Sequence, residues 1–123
     1  MENLSEAALK LRDKIYAGEV SAVIPDLVFY ELTNSLSNKK ELNSEIIKEA
    51  IDYLVDMQLD IIYPSTNIIK EAVDLSYAFN ITTYDAYFVA LAKQVNARLI
   101  TADFKLYEKL KKRTGFYCVF GRC

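Results

Sequence analysis

The sequence predicts an α/β fold with three layers, in which a central parallel sheet lies between helices. Three observations carry the prediction. The apolar period switches repeatedly between short continuous runs of strand type and three-to-four-residue spacing of helix type. The few Gly and Pro residues, 3 and 2 in 123, fall next to the ends of these segments. Each strand-like run is separated from the next by at least one helical segment, the connection a parallel return requires.

Leu4, Ala8, Leu11 and Ile15 share a helical face, and Gly18 stops that helix. Val20 to Ile24 reads as a buried strand ended by Pro25, after which Asp26 caps the helix LVFYELTNSL, ending near Asn38. Asn43 or Ser44 starts the next helix, with Ile46, Ile47, Ala50, Ile51, Leu54 and Val55 on its buried side. Ile61 to Tyr63 is a strand closed by Pro64. Ser65 or Thr66 caps a helix bearing Ile68, Ile69, Ala72, Leu75 and Phe79, with Asn80 as its C-cap. Thr82 or Thr83 caps YDAYFVALAKQ. Arg98 to Thr101 is a strand, Asp103 opens a turn into FKLYEKLKK, Gly115 ends that helix, and Phe116 to Phe120 is the last strand. Four strands result, and the chain opens on a helix where such domains ordinarily open on a strand.

Composition narrows the chemistry. The chain holds no His, which excludes Ser-His-Asp and Cys-His hydrolysis and histidine-ligated zinc. Its 2 Cys residues, Cys118 and Cys123, form neither a four-thiolate metal site nor a disulfide framework. Acid–base or metal chemistry therefore falls to carboxylates. With 52% hydrophobic residues the chain is no disordered tail, and no run is long enough for a membrane span, so a cytoplasmic protein is expected. The net charge of −2 divides unevenly, +6 over residues 93–123 and −8 over residues 1–92. The basic run from Lys109 to Arg113 has two readings, a solvated helix end or a phosphate-contacting patch.

In an open α/β sheet, ligands bind beyond the carboxyl ends of the strands. Glu31, Asp85 and Asp103 each follow a strand or open a helix in that zone. Gathered at one sheet edge, three carboxylates repel one another, and a divalent cation resolves the repulsion. Oxygen ligands without His or Cys select Mg²⁺ or Mn²⁺. Each acid also has a structural reading: Asp85 as a helix-start acid, Asp103 as a turn or N-cap residue, Glu31 as a surface acid. Asn34, one helical turn after Glu31, and Thr101, two residues before Asp103, are supporting candidates with the same two readings.

The segments VIPDLVFYELTNSL and ITTYDAYFVALAKQVNARLITADFKLYEKL resemble a PIN domain of the VapC toxin type. The resemblance covers residues 4 to 120, and its more specific part is the stretch from TTYDAYFVALA to LITADF. It implies a parallel sheet of order 3-2-1-4-5 and metal ligands at Glu31, Asp85 and Asp103, supported by Asn34 and Thr101. It further implies a metal-dependent endoribonuclease of a VapBC toxin–antitoxin system, using Mg²⁺ or Mn²⁺ and leaving 5′-phosphate products. The partners it implies are a VapB-type antitoxin, RNA and a second copy in a homodimer, with no membrane.

In one respect the sequence departs from that family. No apolar strand ending in Asp opens the chain, and Glu2, Glu6 and Asp13 do not take the place of that ligand. The expectation is a single PIN-like domain over residues 1–123, N-terminally incomplete through a late start site or a shortened copy. In-frame DNA upstream should then encode an apolar run ending in Asp within about 15 to 25 codons. The competing reading is a catalytically inactive PIN-like protein that binds an antitoxin or RNA without cleaving it. A small phosphate-handling domain ranks last, because three scattered glycines form no phosphate loop.

Overall fold

A computed structural model describes residues 4–101, 103–111 and 118–120. The elements run α1 (Leu4–Tyr16), β1 (Val23–Pro25), α2 (Leu27–Ser37), α3 (Ser44–Asp56), β2 (Asp60–Ile62), α4 (Thr66–Phe79), α5 (Thr83–Gln94), β3 (Leu99–Thr101), α6 (Phe104–Leu110) and β4 (Cys118–Phe120). The architecture is the α/β type expected, rich in helix, with short parallel strands joined through helices. Among the described residues the strands form two sheets of two: β1 pairs with β2, and β3 pairs with β4.

Strands β1, β2 and β3 are each three residues long, so their boundaries differ from those expected, while of the expected last strand only Cys118–Phe120 falls among the described residues. Val20 to Ala22 lies outside β1, which includes Pro25. Proline has no N–H to give a ladder and is tolerated on an edge strand, and β1 is paired on one side only among the described residues. Beyond it, the Asp26 N–H still donates to the Ile62 carbonyl at 3.1 Å, continuing the β1–β2 ladder. That pairing corrects the role assigned to Asp26. Its backbone lies in the helical region and its side chain makes no capping bond, because a cap needs an extended backbone to fold its oxygen onto the first turn.

The other caps are as expected. The Asn43 side chain accepts from the Ile46 N–H, Ser65 from Ile68, Thr82 from Asp85 and Asp103 from Leu106. Asn80 closes α4 in the left-handed conformation at φ 55°, and Gly18 follows α1 at φ 75°. Helix α6 ends at Leu110, before Gly115, which lies outside the described residues together with Phe116 and Tyr117.

The chain divides into two compact units, Met1–Leu11 with Pro64–Cys123, and Arg12–Tyr63. The first unit holds nearly all of the core. Helices α4 and α5 pack along Ile68, Ala72 and Leu75 on one side and Ala86, Val89, Ala90 and Leu91 on the other. Ala72, Ala86 and Ala90 are wholly buried, and such small side chains let two helix backbones approach closely. Leu106 and Leu110 anchor α6 to the same unit.

The second unit is a β1–α2–α3–β2 crossover whose side chains are half-buried at best, Pro25 excepted. Helix α3 corrects an expectation here. It is strongly amphipathic, yet it buries none of its residues, and Ile46 and Val55 are exposed. The sequence period fixes which residues share a face; whether that face is covered depends on what packs against it. The same limit applies to Ile69 of α4, which is exposed beside the buried Ile68.

Candidate active site

Two of the candidate acids lie in the first unit, each placed by a cap. Helix α5 begins where Thr82, with extended backbone, turns its Oγ1 back to accept the Asp85 N–H at 3.1 Å. This bond sets Asp85 in the first turn, half-exposed, at the helix end whose dipole favours negative charge. Immediately after it, Ala86 and Tyr87 turn into the core, which fixes the rotation of the helix about its axis.

Asp103 is held by a different device. Strand β3 ends at Thr101, whose Oγ1 accepts the Asp103 N–H at 3.0 Å. Asp103 then caps α6, with Oδ1 accepting the Leu106 N–H at 3.1 Å. Its structural reading and its candidate role thus coexist: one carboxylate oxygen satisfies the helix, and the exposed side chain retains the other. Thr101 is half-buried and acts on the backbone of Asp103.

Glu31 and Asn34 belong to the second unit. Both are exposed on α2, one turn apart, with Glu31 in the second turn of the helix. Among the described residues no group of three or more His, Cys, Asp or Glu side chains is placed to hold a metal ion. The donor chemistry at Asp85 and Asp103 nevertheless suits a hard cation, being carboxylate oxygen at partly or fully exposed positions.

The basic C-terminal run resolves in part. Lys111 donates to Glu108 Oε1 at 2.8 Å and sits over the Tyr107 ring, 5.7 Å from its centroid. The hydrogen bond to Glu108 holds its ammonium above the ordinary lysine value. Lys109 reaches across 29 residues of sequence to donate to the Asn80 carbonyl at 2.6 Å. Neither lysine is a bare phosphate contact, and Lys112 and Arg113 lie outside the described residues. The Lys109 bond had no signal in the sequence, since nothing in local spacing relates a helix lysine to a carbonyl so distant.

No helix among the described residues is long and apolar enough to cross a membrane. Comparison with known proteins gives two findings. Residues 1–112 match the PIN domain family model. A curated relative, ribonuclease VapC3 of Pyrobaculum aerophilum, is 28% identical over 91 residues, which is 68% of this chain and 67% of that protein. The family match spans both compact units and takes in Glu31, Asp85 and Asp103. On that match the chain belongs to the PIN-domain family.

Proposed function

We propose that the chain is a Mg²⁺- or Mn²⁺-dependent endoribonuclease, the toxin of a VapBC pair. The observation that carries the proposal is the placement of Asp85 and Asp103 at the starts of two helices in one unit, each by a side-chain cap, in a PIN-domain chain related to a ribonuclease. A bound Mg²⁺ or Mn²⁺ supplies charge neutralisation at a phosphodiester and lowers the pKa of water. Asp85 and Asp103 would hold the cation, with Glu31 as the candidate third ligand or the acceptor of the attacking water's proton. Attack in line at phosphorus breaks the bond to the 3′ oxygen, leaving a 5′-phosphate on one fragment and a hydroxyl on the other.

Thr101 and Asn34 take positioning roles. Thr101 fixes the Asp103 backbone through its 3.0 Å bond, and Asn34 stands one turn from Glu31. In this reading the protein is cytoplasmic, a VapB-type antitoxin restrains it, and a second copy completes a homodimer.

The test is metal removal. Purified protein incubated with RNA should give 5′-phosphate fragments in the presence of Mn²⁺, and a chelator should reduce cleavage to background, with recovery on adding Mn²⁺ back. Fragments that persist at the same rate under chelation would contradict the reading. Intact RNA in both conditions, together with tight binding of the antitoxin, would establish the non-cleaving alternative.

A further inference from the structure

We infer that Lys109 is a positioning residue that ties the helix starting at Asp103 to the turn leading to Asp85, and so sets the relation between the two carboxylates. The turn between α4 and α5 is closed on itself. Asn80, left-handed at φ 55°, and Ile81 both donate backbone N–H groups to the Ser76 carbonyl, and the Ser76 hydroxyl donates to the Ile81 carbonyl at 2.6 Å. The next residue, Thr82, caps α5 at Asp85. Asn80 thus belongs to a hydrogen-bonded turn that leads to Asp85 five positions on.

The Lys109 ammonium donates to the Asn80 carbonyl at 2.6 Å. It is a charge-assisted bond, and it satisfies a carbonyl at the negative end of α4, where a cation is favoured. Lys109 stands six residues after Asp103, about 9 Å along the helix at 1.5 Å per residue. Helix α6 is only seven residues long, so a tether in its second turn constrains its whole length. Leu106 and Leu110 fix its depth against the core, while Lys109 fixes where its polar side lies relative to the turn before α5.

The role in metal binding rests on the proposed function; the tether itself does not. Amide hydrogen exchange on metal-free protein tests the tether. Lys109→Met should speed exchange of the Asp85 and Leu106 amides, which donate to the Thr82 and Asp103 side chains, whereas Lys109→Arg should leave both near the parent rate. Glu71→Gln, which removes the surface ion pair Lys93–Glu71 at 2.9 Å, serves as the control for general loosening. Unchanged exchange in Lys109→Met, or equal acceleration in Glu71→Gln, overturns the inference whether or not metal binds.

Mn²⁺ affinity tests the consequence. Lys109→Met should weaken it by about fivefold, below the effect of removing a group bonded directly to a ligand, with Lys109→Arg restoring it and Glu71→Gln leaving it unchanged. If the parent binds Mn²⁺ and Lys109→Met binds equally well, the inference fails and the nuclease reading stands. If the parent binds no Mn²⁺, the nuclease reading fails and the exchange data alone decide on the tether.

Discussion

If the proposed function holds, Asp85→Asn should remove RNA cleavage and leave the fold in place. The substitution keeps the shape of the side chain and removes its charge. The structure separates the two roles of this residue unusually well. Its cap contact with Thr82 is made by the backbone N–H, which asparagine retains, so α5 still starts at the same place. What stability is lost comes from the interaction of a carboxylate with the helix N-terminus, about 0.3–1 kcal/mol at an exposed site. Cleavage should fall by about 100-fold or more, since losing a direct ligand exceeds the loss of a group that merely orients one. Cleavage by the variant at the parent rate, with an unaltered melting curve, would remove Asp85 from the site.

The largest expected change in stability comes from Leu110→Ala. Leu110 is wholly enclosed and closes α6 against the first unit. Truncating a buried leucine leaves a cavity and costs about 2–4 kcal/mol. For a chain of this size that corresponds to a melting temperature lower by about 10 °C. Val55→Ala is the natural comparison, because the same kind of apolar side chain on α3 is 55% exposed and its truncation should cost about 0.5 kcal/mol or less. Equal thermal shifts for the two variants would show that burial is not distributed between the units as described.

Helix starts were legible in the sequence because their determinants are local. Asn43, Ser65, Thr82 and Asp103 each lie three residues before the amide they receive, and such a pattern needs no knowledge of the rest of the fold. Asp26 looked the same in sequence and behaves differently because a strand contact, its N–H to Ile62, extends the ladder past Pro25. Burial was legible for α4 and α5, whose faces meet each other. It was misjudged for α3, where Ile46 and Val55 have the right period but remain exposed. Strand pairing into two sheets, and the Lys109 bond to Asn80, depend on residues far apart in the chain.

For the site, the position of each acid on its element was readable. Glu31 in α2, Asp85 in the first turn of α5 and Asp103 at the end of the β3–α6 turn all stand where the spacing put them. The cap made by Asp103 shows why the structural and functional readings of a helix-start acid need not compete: a carboxylate has two oxygens, and one suffices for the cap. The gathering of three acids into one metal-binding group is a tertiary property, and no such group occurs among the described residues. Family membership and the two capped acids are therefore what the nuclease proposal stands on.

Titration calorimetry with Mn²⁺ decides whether Asp85 and Asp103 bind a divalent cation together, as the proposed function requires. Asparagine at position 103 still accepts the Leu106 N–H as a cap, so Asp103→Asn, like Asp85→Asn, removes charge without undoing its helix. The expected result is saturable Mn²⁺ binding by the parent chain that each of the two substitutions eliminates. Binding that survives both substitutions, or a parent titration indistinguishable from buffer, would contradict it.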